Sequence, residues 1–517
     1  MLSHLQNWWK RDSALHSFVY ANFLIGLPFT VFNTYVIYQL QIVDFLLGTD
    51  SYEKQGDGQP CTTYCIVPWA GTNMDLNSII LYLNAIGFWI GGAVTLILSA
   101  YSDYWSRKHL LVTISIAVYG SCSIPCYWLQ GYTLINFDAL TALWILFAVL
   151  TFIIMAVLSM YIPHCMRNIA TNERSLDTEG DHTVPKQYAR RNYGVTMTIF
   201  GQISNQIGSV LLLVVVMILT QTLTGTAATS AGLLITSVVG FITVAGSLGA
   251  LWGLPAVPAR HWSPSAAWYE PVVELVRPLQ DLVRRKNMAF LLIAYTIYVD
   301  TLFAVSSVSG QLFVAEVHPG ALEYSLYSLA QVLCIIGCQA MFLWVRPHLP
   351  FSLEKWLIAG YAISLILPIW GLIGFASVRF GWKTRWEFYV VTFISQLSQA
   401  FANTAWKVLF SELIPVGSEV RWLTLQVVLS CGTVWVNYVA SAPLQNATHE
   451  LRFPLIISLV FLCFPVVMEL ARCNLRVLRE DKEKWERADC ESDQESQSER
   501  GSQALQGTII VDGHMKR

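Results

Sequence analysis

The stretch Pro271-Val272-Val273-Glu274-Leu275-Val276-Arg277-Pro278-Leu279-Gln280-Asp281-Leu282-Val283-Arg284-Arg285-Lys286 decides how the chain is organised, because runs apolar enough to cross a bilayer lie on both sides of it. A span needs roughly 20 mostly apolar residues. Upstream, such runs occupy roughly 18–47, 78–100, 110–130, 139–162, 194–222 and 231–253; downstream, roughly 288–314, 322–345, 354–377, 386–410, 422–442 and 453–473. Twelve spans in two groups of six are therefore expected. Each has to be a helix, since hydrocarbon offers the backbone no water and no barrel-like alternation is visible.

Composition supports this reading. The 517 residues are 54% hydrophobic and only 13% charged, against about a quarter charged in an average soluble domain. Lys and Arg number 32 against 34 Asp and Glu, a balance that gives no basis for binding nucleic acid through its phosphates. The first apolar run is too long for a secretory signal and should remain as a helix. With the N-terminus cytoplasmic, only Lys54, Arg379, Lys383, Arg385 and Arg452 fall on the far side of the membrane, and every other Lys and Arg falls inside. Such a bias obeys the positive-inside rule, and one missed or extra helix would scramble it.

The expected organisation is a cytoplasmic N-terminus over 1–17, a six-helix half over 18–253, a cytoplasmic linker over 254–287, a second six-helix half over 288–473 and a cytoplasmic tail over 474–517. In the linker, Val272, Leu275, Val276, Leu279, Leu282 and Val283 recur at helical spacing, which predicts an amphipathic helix at the membrane surface, kinked by Pro278. From about Ala488 the tail is rich in Glu, Ser, Gln and Asp and should be disordered.

Charge inside a span is expensive and therefore informative. Asp300, about halfway along the seventh span, needs a partner, a water-filled cavity or a proton. It either binds a proton or a substrate amine, or it is a hydrogen-bonded lock on helix packing. In the tenth span Gln396, Gln399, Asn403 and Lys407 follow at three- and four-residue steps and form one polar stripe that lipid would not tolerate. That stripe is expected to face a substrate or proton pathway, although Lys407 is near enough to the cytoplasmic end to snorkel instead. Gln202, Asn205 and Gln206 in the fifth span are read as interhelical glue. No Gly-x-Ser-x-Gly elbow, His-Glu-x-x-His helix or phosphate-cradling glycine loop occurs. Neither an enzyme nor a cofactor or metal is expected, and gradient-driven transport of a small molecule remains.

Two features of the far-side loops complete the reading. Cys61 and Cys65 lie in a long polar loop where oxidation is permitted, and their spacing allows a disulfide if the segment turns; two free thiols are the alternative. Asn446-Ala447-Thr448 is a glycosylation acceptor between the eleventh and twelfth spans.

Two six-span blocks joined by a basic linker resemble the major facilitator layout, in which the halves rock about a midplane site. Ser99-Ala100-Tyr101-Ser102-Asp103-Tyr104-Trp105-Ser106-Arg107-Lys108 resembles the loop signature of that class, with Ser99 and Ser106 in place of its glycines. The resemblance implies that Asp103 and Arg107 pair as a latch at the cytoplasmic mouth; simple anchoring of a helix end is the alternative. More specifically, Ile369-Trp370-Gly371-Leu372-Ile373-Gly374, Phe380-Gly381-Trp382-Lys383, Trp386-Glu387-Phe388 and Ser411-Glu412-Leu413-Ile414-Pro415 resemble the autophagy-related protein twenty-two family of fungal vacuolar amino-acid effluxers. The resemblance extends to Arg190-Arg191-Asn192-Tyr193-Gly194, to Asp300 and to Asn77-Ser78-Ile79 with Tyr82. It departs at Leu15-His16-Ser17-Phe18, which lacks the family's glycine, and at Val416-Gly417-Ser418, where basic residues are usual.

What the resemblance implies is export of amino acids, released by autophagic breakdown, from the vacuole lumen to the cytosol, by a monomeric carrier with Glu412 as a further gating residue. Protons are candidate co-substrates, and Asp300 is the candidate ammonium partner. A sugar or organic-acid porter and a non-transporting membrane scaffold or receptor are the alternatives on the same fold.

Overall fold

The computed structural model describes residues 13–50, 65–69, 71–102, 104–105, 107–167, 186–223, 226–255, 257, 282, 286–349, 351–376, 379–414, 419–448 and 450–472. The first half contains α1 (Ser13–Leu47), α2 (Leu76–Ser102), α3 (Lys108–Ser123), α4 (Leu134–Ser159), α5 (Lys186–Thr222) and α6 (Thr226–Gly253). The second contains α7 (Lys286–Val317), α8 (Ala321–Val345), α9 (Leu353–Ser364 and, after a break at Leu365, Ile366–Ile373), α10 (Arg385–Leu413), α11 (Glu419–Thr448) and α12 (Phe453–Arg472). Each lies over one of the apolar runs.

Among the described residues, 10 helices are long and apolar enough to cross a membrane. The two that fall short are α10, whose apolar run is interrupted by Gln396, Gln399, Asn403 and Lys407, and α11, whose side chains are described only to Val434 and again at Pro443. The outer surface is apolar, as lipid contact requires: Trp344 is 71% and Leu470 70% exposed.

Three details differ from the sequence reading. The third apolar run is helical only to Ser123 and continues as a 3-10 helix, Ile124–Leu129, entered at Pro125. Between α1 and α2 lies a small antiparallel sheet, β1 (Thr49–Asp50), β2 (Cys65–Trp69) and β3 (Thr72–Asp75), in the order β1-β2-β3, with Thr49 opposite Ile66 and Trp69 opposite Thr72. Helix α11 runs through Pro443 to Thr448, so Asn446 sits in its last turn rather than in a loop. The cytoplasmic linker, apart from isolated positions, and the tail beyond Arg472 lie outside the described residues.

The two halves meet where α2 packs along α11 and α5 along α8. Within the first half, glycine lets helices approach backbone to backbone. A Cβ on Gly26 of α1 would stand 1.9 Å from the carbonyl oxygen of Asn205 on α5, and one on Gly208 2.8 Å from that of Phe23. Asn205 Nδ2 also donates to the Asn22 carbonyl at 3.2 Å, and Ser209 Oγ to that of Gly26 at 3.0 Å. Small residues at such crossings allow the close packing that holds helices together in lipid. Gly26→Ala is expected to destabilise the protein by about 2 kcal/mol through overpacking. Gly337 on α8 has open space around its Cβ position, so Gly337→Ala should be neutral or stabilising; thermal unfolding in detergent compares the two.

Candidate functional site

The polar stripe on α10 begins from a well-made helix start. Thr384 and Glu387 form a capping box, and Arg385 opens the first turn. From there the helix runs through the interior of the second half, against α9, α8 and α7. Gln396, Gln399, Asn403 and Lys407 are all half-buried. Gln399 Nε2 donates to Ser395 Oγ at 3.3 Å, and Asn403 Oδ1 accepts from the Tyr295 hydroxyl at 3.3 Å. Tyr295 stacks on Trp406 with ring centroids 3.8 Å apart, and Trp406 on Phe410 at 4.6 Å. One turn along α7, Tyr298 shares a 2.7 Å hydrogen bond with Ser398, whose hydroxyl donates to the Gly360 carbonyl at 2.8 Å. The stripe thus meets aromatic rings on the α7 side.

Asp300 is buried in the wall between α7 and α11. Its two carboxylate oxygens accept from the hydroxyls of Ser430 and Thr433, one to each. Between those residues Cys431 faces α2, where a Cβ on Gly92 would stand 2.5 Å from Cys431 Cβ. Asp300 therefore sits behind the contact that joins the two halves, held by donors on the helix that makes that contact. Among the described residues no hydrogen bond joins it to the α10 stripe.

Charged groups gather at the end of the bundle where α1, α5, α7, α9 and α11 begin, here termed the basic end. Arg191 Nε lies 2.6 Å from Glu412 Oε1 and its NH2 2.8 Å from Oε2, a bidentate pair between α5 of the first half and α10 of the second. The same guanidinium approaches Glu354 of α9 at 3.9 Å. Beside it, an NH2 of Arg167 donates to the Ile414 carbonyl at 2.6 Å, again from one half to the other. Glu412, expected to gate, does ion-pair across the halves. Its partner Arg191 stood in the sequence within the Arg190–Gly194 motif, with nothing there to mark it as the partner of Glu412.

At the opposite end the described residues join the halves without charge. Tyr35 of α1 shares a 2.8 Å hydrogen bond with Ser325 of α8, and Tyr38 stacks on Tyr324 with centroids 5.4 Å apart. Between the ends, Gln339 Nε2 of α8 donates to Gln202 Oε1 of α5, and Thr404 Oγ1 of α10 donates to Gln339 Oε1 at 3.4 Å. Gln202 and Asn205, read as glue, do bridge helices. Asp103 and Cys61 lie outside the described residues, as do the side chains of Cys65 and Asn446; Arg107 is exposed at the start of α3. Among the described residues no cluster of His, Cys, Asp and Glu could hold a metal ion.

The profile of the "Vacuole effluxer Atg22 like" family matches residues 17–480. The chain belongs to that family. Among its relatives, "Autophagy-related protein 22" of Candida albicans is 24% identical over 462 residues, covering 87% of each chain, and that of Yarrowia lipolytica is 28% identical over 112 residues, covering 22% of this chain and 19% of the relative. Two solved structures resemble it in fold. The Escherichia coli fucose:proton symporter aligns with a TM-score of 0.55 at 12% identity, covering 88% of this chain and 97% of that one. A D-xylose-proton symporter aligns with a TM-score of 0.56 at 12% identity, covering 89% and 96%. The protein is an integral membrane transporter of the major facilitator fold, not an enzyme.

In this effluxer-family chain, the motif from Trp370 to Glu387 is structural. Gly381 and Trp382 adopt left-handed backbone, with φ of 105° and 58°, which a glycine tolerates and a tryptophan adopts only under constraint. The constraint is the Glu387 carboxylate, fully buried, which accepts from the backbone N–H groups of Gly381 at 2.7 Å and of Lys383 and Thr384 at 2.8 Å each. It also accepts from Thr384 Oγ1 at 2.9 Å and Trp370 Nε1 at 3.1 Å. Arg452 then closes over the knot, with NH2 2.7 Å from Glu316 Oε1 and 3.4 Å from the Trp382 carbonyl.

Proposed function

We propose that this transporter carries amino acids, released by breakdown of autophagic material, out of the vacuole lumen into the cytosol by alternating access. The observation that carries the reading is the pair of unlike closures between the same two halves: an ion-paired one at the basic end and an uncharged aromatic one at the other, with the polar stripe of α10 between them. Two closures that can open in turn are what alternating access requires. The bias of Lys and Arg sets the basic end toward the cytosol, with both termini there, and membership of a family described as vacuole effluxers supports the compartment and the direction. Asp300 supplies the titratable charge, and protonation by an acidic lumen would alter the α7–α11 contact next to the joint between the halves. The protein works as a single chain, since both halves of the closure come from one copy.

Reconstituted vesicles test the reading. Counterflow of labelled leucine, with no counterflow of glucose, is the expected result. Flux of glucose but not leucine would favour a sugar porter, and no flux of any solute would favour a scaffold or receptor on this fold.

A further inference from the structure

Lys407 is a cation that no described residue answers. It lies inside the α10 span, half-buried, and no hydrogen bond or ion pair involves it among the described residues. The carboxylates described on α7, α9 and α10 toward this part of the bundle have partners of their own: Glu412 and Glu354 pair with Arg191, and Asp300 accepts from Ser430 and Thr433. Five residues separate Lys407 from Glu412, so it lies about 7.5 Å along the axis inside the ion-paired closure. Four residues the other way is Asn403, on the same face of the helix, with Gln399 one turn further. A cation inside a span without a counter-charge is retained at a cost, and in membrane proteins such residues mark ligand pathways.

We propose that Lys407 is an anion site, which takes the carboxylate of the transported solute just inside the basic-end closure, with the oxygens of Asn403 and Gln399 along the stripe receiving the ammonium. This rests on the reading that amino acids are the cargo and specifies their seat. Asp300 is excluded as the simultaneous ammonium partner. Tyr295 stands level with Asn403 and Trp406, and Asp300 lies five residues, about 7.5 Å, further along α7. The ammonium and carboxylate of an α-amino acid share one carbon and do not reach both Lys407 and Asp300. The two charges therefore have separate duties, one to hold the cargo and one to respond to the proton.

The proposal differs from snorkelling, in which Lys407 only reaches toward the basic end, in what it predicts for analogues lacking one charge. In vesicles exchanging labelled leucine, 4-methylpentanoate keeps the carboxylate and leucinamide the amine. Lys407→Gln is expected to weaken inhibition by 4-methylpentanoate by about tenfold or more, the loss of one charge-assisted contact. Inhibition by leucinamide should be unchanged, which also shows that the variant is folded, and Lys407→Arg should retain the carboxylate effect. Equal inhibition by 4-methylpentanoate in Lys407→Gln and wild type would overturn the site while leaving leucine transport intact. If wild-type vesicles move no leucine, the cargo reading fails and direct binding of labelled 4-methylpentanoate to purified protein decides the site. Binding that is lost in Lys407→Gln and kept in Lys407→Arg would sustain an anion site; no binding to wild type, or equal binding to Lys407→Gln, would overturn it.

Discussion

Arg191→Ala is expected to unfasten the basic end and abolish most transport. The guanidinium and the Glu412 carboxylate are 16% and 12% exposed and joined by two hydrogen bonds, so the pair lies in the regime where removing one partner strands the other. Breaking such a pair costs about 3 kcal/mol or more, and Glu412 would lose the guanidinium that answers both of its oxygens. If that cost falls on the closed basic end alone, the balance between closed and open shifts by about 100-fold. Arg191→Lys keeps the charge but not the fork and should fall between wild type and the Ala variant. A double-mutant cycle with Glu412→Gln, read by flux and by thermal unfolding in detergent, checks the assignment. Strong non-additivity is expected, and additive losses would show that the two residues act independently.

Asp300→Asn has an effect of similar size for a different reason. Asn keeps the shape and one acceptor oxygen, to which one of the Ser430 and Thr433 hydroxyls still donates while the other turns to accept from the new amide, so the α7–α11 contact should survive. What disappears is the group that can change charge. The variant is expected to fold and reach the membrane, yet to lose at least about tenfold in export at acidic luminal pH, equivalent to about 1.4 kcal/mol, or to lose the pH dependence of what remains. Flux measured across a range of luminal pH in vesicles makes the comparison. A wild-type pH profile in Asp300→Asn would reduce Asp300 to packing. Asn403→Ala should be milder, because a neutral hydrogen bond contributes about 1 kcal/mol net.

The helices were legible because a bilayer imposes a length. Runs such as 386–410 and 453–473 became Arg385–Leu413 and Phe453–Arg472 with little adjustment, since the same apolar residues that need lipid also need helical backbone. The candidate site was legible only where a charge broke the pattern. Asp300 and Lys407 announced themselves by being costly, while their surroundings did not. Ser430 and Thr433 are unremarkable on α11, and Tyr35 and Ser325, 290 residues apart, read as ordinary members of two spans. Arg191 and Glu412, 221 residues apart, were visible as charges at the same side of the membrane but not as partners. Pairing across halves depends on how the two bundles face each other, and helical spacing within one segment carries no information about that. The sheet from Thr49 to Asp75 was missed for a related reason: its strands are two to five residues long, too short for an alternating pattern to stand out.

The Glu387 knot bears on the order in which the second half assembles. Every hydrogen bond to that carboxylate comes from within 17 residues upstream, the farthest from Trp370. Contacts so close in sequence form without waiting for the rest of the chain, so the hairpin of α9 and α10 can set its connecting loop as soon as both helices are inserted. Arg452 belongs to the end of synthesis. Its bond to Glu316 spans 136 residues and its contact with Trp382 spans 70. The last helix thus arrives at a prefolded seat, and its arrival fastens the α7 end of the half to a loop that took its shape earlier, during translation.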